Sequence, residues 1–242
     1  MPAGVTDCAM TETMLGEEIF SAYAAGALSG PMTLLMDVHT AVSPVVAAER
    51  ARHDALAGFL LQTETPVAMR EGALDDILAI IDAEASQSGE AAMRALPGND
   101  VRERKAASLA SRALDEILAL PEPVRDLVLE QGGNWQFAGP GVRTMELMRD
   151  GPAKAELIRL EPGHGVPRHT HDGREFTLVL CGAFHDGHAR YGRGDMSVAD
   201  PELTHRPVAE AGEVCIALAV TDGPLAFTGP LGWVQRALGG MN

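Results

Sequence analysis

Cysteine is scarce in this 242-residue chain: Cys8, Cys181 and Cys215 stand far apart and are odd in number. No disulfide framework and no paired-cysteine metal knuckle can be read from them, which fits a reducing compartment. Long apolar runs are lacking too. Nothing approaches the roughly 20 residues that a membrane span needs, and no basic segment leads into an apolar one at the start. A soluble, cytoplasmic protein without membrane contact is expected. Lysine is missing from residues 1–98, which hold 14 Asp and Glu against 4 Arg, so this part carries −10 of the overall −15. Such a surface repels phosphate and draws basic partners, most strongly at low salt. Direct nucleic-acid binding is thereby excluded from the expectations. Residues 132–242, with 13 acidic and 10 basic side chains, are near balance.

The acidic part is rich in Ala, Leu, Met and Glu, which lose little entropy in a helix. Its punctuation predicts helices over about 13–27, 31–42, 46–61 and 71–83, with breaks at Gly30-Pro31 and Pro44. In the fourth, Leu74, Ile77, Leu78 and Ile81 fall at the spacing of one apolar stripe. Residues 86–112 mix small, polar and charged types around a Pro-Gly pair, the composition of a linker. Short helical turns are expected over 114–120 and 124–129. Beyond Gly132 the pattern turns to short β-prone runs between Gly, Pro and Asp, at 144–149, 155–160, 175–180 and 214–220. Many short strands with such turns suggest a barrel or sandwich.

One stretch of that half concentrates metal-binding chemistry: VPRHTHDGREFTLVLCG, residues 166–182. On a strand His169 and His171 face one side, and Asp172-Gly173 is a hairpin signal that would bring Glu175 back to the same point. A third imidazole follows at His205. Three imidazoles and one carboxylate suit Zn, Fe, Mn, Ni or Cu, and the ligand types alone do not choose. His164, His185, His188 and His53 are expected to face solvent. Cys181 and Cys215 lie on expected strands, where a free cysteine is usually a small buried hydrophobe; a redox role for Cys215 is the lesser alternative.

Gly163, His169, His171, Glu175 and Gly182 match the first motif of the cupin family in full, and Gly194, Pro201 and His205 match the second more loosely. The resemblance implies a double-stranded β-helix barrel over about residues 119–236 with the four side chains turned onto a metal. The helical half resembles a more specific group. EIFSAYAAGALSGPMTLLMDVH (18–39) and ETPVAMREGALDDILAIID (64–82), with REFTLVLCGAFHD, YGRGD and AVTDGPLAFTGPLG further on, are similar to ChrR-type cupin anti-sigma factors. This likeness spans most of the chain except the first dozen residues and the linker.

That family implies two domains, an all-α helical anti-sigma bundle over 1–92 and an all-β cupin over 119–242, joined by a linker over 93–118. It implies that the bundle sequesters an extracytoplasmic-function type sigma factor, released on an oxidative or related signal through the cupin. One divalent metal at His169, His171, Glu175 and His205 is expected, zinc first, with iron, manganese or nickel as alternatives. Family members with zinc in the helical domain use H-x3-C-x2-C, where this chain has His39, Ser43 and Val46, with Met14 near the place of the upstream histidine. One imidazole cannot hold structural zinc, so the helical domain is expected to be metal-free, with Phe20, Tyr23 and Phe59 supplying core. The runner-up is a metal-dependent cupin dioxygenase acting on a small carbonyl compound, its helices serving a homodimer. A sensor that binds a small molecule without turnover is the third.

Overall fold

The computed structural model describes residues 15–87, 111, 113–221 and 225–227. Cys8, Met14 and most of the expected linker lie outside them. Helices α1 (Glu17–Ala24), α2 (Gly30–Val42), α3 (Pro44–Thr63), α4 (Ala73–Gln87) and α5 (Glu122–Glu130) are followed by eleven strands among the described residues. The chain divides into two compact units, one of residues 1–57 with 115–242 and one of residues 58–114.

The first unit is organised by a six-stranded antiparallel sheet in the order β1 (Gln136–Gly139), β2 (Val142–Asp150), β3 (Ala153–Leu160), β10 (Cys215–Thr221), β5 (Glu175–Cys181), β8 (Met196–Ala199). Two smaller sheets accompany it: β4 (His169–His171) with β11 (Leu225–Phe227), and β7 (Arg190–Gly192), β6 (Ala183–His185) and β9 (Val208–Ala209). The central strands are apolar nearly throughout; every residue of β10 is buried. An antiparallel sheet with one wet face should alternate, so continuous burial means that both faces are covered. One face, with Leu160, Val179 and Cys215, packs on Phe184 and Ala209 of the three-stranded sheet. The other, with Leu157, Phe176, Leu178, Ile216 and Leu218, belongs to one cluster with Leu34, Leu35, Met36 and Val38 of α2 and Val124 and Val128 of α5.

Helix α2 fits that role by pattern. Pro31, Leu34, Leu35, Val38 and His39 recur at three and four residues along one stripe and are all buried. Pro31 starts the helix with a preset φ, and Ser43-Pro44 ends it. Burying side chains of this size contributes about 1.5–3 kcal/mol each, enough to hold a short helix that would be marginal alone. His39 is the polar member of the stripe. Its Nε2–H donates to the carbonyl of Gly194 at 3.2 Å, just before β8. Gly194 adopts φ 88°, the left-handed region that favours glycine, so the turn before β8 calls for it. Polar contacts tie the other helices of this unit: Tyr23 donates to Asp37, Arg50 lies 4.7 Å over the Tyr23 ring, and Ser21 contacts His53 Nδ1 at 3.1 Å.

Several expectations need correction. Phe59 is 63% exposed and is not core. His53 is half-buried, stacked on Phe20 with its Nε2 3.2 Å from Glu49, because α1 covers that side of α3. Cys181 is exposed at the strand end. Asp172-Gly173 does not close a hairpin: β4 pairs with β11 and β5 with β8 and β10, so residues 172–174 carry the chain from one sheet to another.

Candidate metal centre

That crossing between sheets assembles the site. Strand β4 alternates buried, half-buried, buried, which sends His169 and His171 inward and Thr170 aside. An antiparallel bridge pairs His169 with His205, each backbone N–H donating to the other's carbonyl at 3.1 Å, and thereby delivers the third imidazole. Glu175 comes from the first position of β5 on the facing sheet. One ligand atom from each of His169, His171, Glu175 and His205 lies within 4.8 Å of the others, and all four residues are buried. The sequence therefore named a set that the fold brings together. His164, His185 and His188 are exposed, as expected.

The donor atoms are arranged as a metal needs. His205 Nε2 lies 3.0 Å from Nε2 of both His171 and His169, and His171 Nε2 lies 3.6 Å from Glu175 Oε2. His169 Nδ1–H donates to the Pro167 carbonyl at 2.8 Å, which fixes the tautomer and leaves the Nε2 lone pair facing the centre. One N–H cannot satisfy three converging imidazole nitrogens, whereas ligands about 2.0–2.1 Å from one ion sit roughly 3 Å apart. Burial holds all three imidazoles below their ordinary pKa, His205 to about 4, so they are neutral donors at neutral pH. Burial pushes Glu175 the other way, up, and a cation beside it relieves the cost of a buried carboxylate. The residues thus fit a divalent ion. Thr177, which donates to Glu175 Oε1 at 2.9 Å, was missed by sequence reasoning; its place two residues on, on the same strand face, was the available signal.

Two spaces adjoin the cluster. A small, mostly apolar space of about 40 Å³ touches His169 and Glu175 and is lined by Ile158, Leu160, Phe184 and Ala217. It has room for ordered water beside the cluster. A larger cleft of about 630 Å³ touches His205. Cys215 is fully buried, and burial pushes its thiol up to about 12, which disfavours the thiolate. Burial and the raised pKa of its thiol weigh against the redox alternative for Cys215.

Residues 125–226 match the ChrR Cupin-like domain family. The chain is 38% identical over 213 residues to the anti-sigma-E factor ChrR of Cereibacter sphaeroides, covering 88% of this chain and 91% of that protein. It is also similar to the crystal structure of Rhodobacter sphaeroides SigE in complex with the anti-sigma ChrR, at 33% identity and a TM-score of 0.63, covering 86% of this chain and 97% of that one.

Proposed function

We propose, from the premise that this chain belongs to the ChrR family of anti-sigma factors, that it sequesters an extracytoplasmic-function type sigma factor and frees it when the metal-bearing cupin is altered by an oxidative or related signal. The observation that carries this is 38% identity to an anti-sigma factor over 213 residues, 88% of this chain. This is a family of regulators and not of enzymes. In support, Leu74, Ile77, Leu78 and Ile81 of α4 are 49–59% exposed along one stripe, beside Asp75, Asp76 and Asp82. An exposed apolar face rimmed by acid suits a partner with apolar and basic surfaces. The family helical domain of residues 1–92, the linker of 93–118 and the cupin of 119–242 form part of the same proposal.

In this reading His169, His171, Glu175 and His205 hold one divalent ion, zinc first, as ligands without an acid–base role. A divalent ion held by these four residues would tie β4 and the His205 segment to β5, and a signal that altered its ligands would loosen that tie. The chain works in the cytoplasm, where its partner does, and takes no nucleic acid directly. Among the described residues no helix is long and apolar enough to cross a membrane. The relative that carries the reading is an anti-sigma factor, which favours it over the dioxygenase alternative.

The test is co-expression with the cognate sigma factor, capture, and metal analysis of the eluate. Wild type is expected to retain sigma with one metal per chain; Ile77→Glu with Ile81→Glu should abolish capture and keep the metal. His169→Ala should keep capture and lose metal and release. Loss of capture and release together would refute this division of labour, and two metals per chain would contradict a metal-free helical domain. A homodimer through α4 would show as a doubled mass that the α4 variant restores to monomer.

A further inference from the structure

Methionine is concentrated where helix α2 meets the six-stranded sheet. Met32, Met36, Met69, Met145, Met148 and Met196 lie among the described residues, and all but Met69 belong to or pack against the one cluster that α2, α5 and the sheet share. Three are sealed in it: Met36, Met145 and Met196 are at most 4% exposed. Met32, in the first turn of α2, and Met148, on β2, pack on the same cluster but are only half-buried. Met148 reaches that place through a bulge. The pairing of β2 with β3 shifts between Glu146 and Met148, so Leu147 is the extra residue and both it and Met148 join the cluster instead of alternating between faces. The Met148 sulfur then abuts Gly30, the first residue of α2, where an added Cβ would lie 3.4 Å from Sδ. The Gly30 N–H donates to Asp150 Oδ2 at 3.4 Å, so the start of α2 is seated on the end of the β2–β3 hairpin.

We propose that Met148 and Met32 are the sites at which a hydroperoxide modifies this protein, and that their oxidation unseats the first turn of α2 from the sheet. The thioether sulfur attacks the terminal oxygen of the peroxide; an S–O bond forms as the O–O bond breaks. Sulfur is oxidised by two electrons, and the departing oxygen takes the proton of the attacked one and leaves as water or an alcohol. A thioether needs no deprotonation, so the burial that disfavours the Cys215 thiolate does not block this chemistry; access of the oxidant decides it, and Met148 and Met32 have it where Met36, Met145 and Met196 do not. The product is a polar sulfoxide set in an apolar seam, which disrupts packing of this kind and is reversed by sulfoxide reductases. Under the proposed function, on which the regulatory meaning of the change rests, this gives an oxidative signal a chemical target apart from the metal shell.

The full chain, loaded with zinc because that ion has no redox chemistry of its own, is treated with graded hydrogen peroxide. Peptide mass spectrometry is expected to find one added oxygen on Met148, on Met32 and on Met69, which is 73% exposed, with Met36, Met145 and Met196 unchanged. The melting temperature should fall by at least about 2 °C at constant zinc content, and the α2 amides should exchange faster. Met148→Leu with Met32→Leu, a volume-conserving change, should fold and lose the response to peroxide, whereas Met69→Leu should respond as wild type does. Met148 and Met32 left intact at doses that convert Met69, an equal fall in the double variant, or a fall that follows loss of zinc overturns the proposal. Sigma capture is measured apart from these: a chain that captures no sigma yet shows this pattern sinks the proposed function and leaves the methionine sites standing.

Discussion

Helices α2 and α4 both carry an apolar stripe at helical spacing, and they meet opposite fates. In α2, Leu35, Met36 and Val38 are wholly buried against the outer face of the six-stranded sheet, with His39 bonded to Gly194. In α4, Leu74, Ile77, Leu78, Ile80 and Ile81 are each about half exposed or more. The difference teaches that a stripe reports a need for a partner and not who supplies it. For α2 the barrel supplies it within the chain, which makes this helix part of the barrel's stability. For α4, within the described residues, the face stays uncovered, which suits recruitment of a second protein.

Breaking the α2 side should cost most. Leu35→Ala is expected to destabilise the chain by about 2–5 kcal/mol, read from the urea midpoint, because a wholly buried leucine leaves a cavity between helix and sheet. A loss below about 0.5 kcal/mol would mean that α2 does not pack there. His39→Ala should cost about 1–3 kcal/mol, since it orphans the Gly194 carbonyl and empties the joint. Acid sharpens the contrast further. His39, His169, His171 and His205 are all held below their usual pKa of 6.5, chiefly by burial. In metal-stripped protein the unfolded chain takes up protons below pH 6.5 that the folded one refuses, so stability should fall from 6.5 down to about 4, the value for His205. Glu175, shifted upward, opposes this and is outnumbered four to one. Melting temperatures that rise on acidification through that window would contradict the assignment. Smallest of all, Ile80→Ser on α4 should change stability by less than about 0.5 kcal/mol, since that side chain is already 59% exposed.

Much of the candidate site was legible in the sequence, because His169, His171, Glu175 and His205 are chemically distinctive and sit at spacings that a barrel must honour. Their delivery was not. Asp172-Gly173 resembles a hairpin turn, yet residues 172–174 pass from the sheet of β4 to that of β5, a choice made by pairings with β11, β8 and β10 far along the chain. Phe59 counted as core by its type, but it is 63% exposed, and residue type alone does not say which face of a helix is covered. The short strands β6, β7 and β9, two or three residues each, were invisible because so few residues establish no period.

By itself the sequence determined the local terms: where helices start and stop, which half is acidic, and which four side chains can share an ion, since these depend on residue type and on separations of a few residues. Only the tertiary structure decided that α2 lies on the barrel and that His39 donates to the carbonyl of Gly194. Those outcomes come from pairing segments more than thirty residues apart, and the free energy that selects such pairs is that of burying their joint surface, which neither segment carries alone.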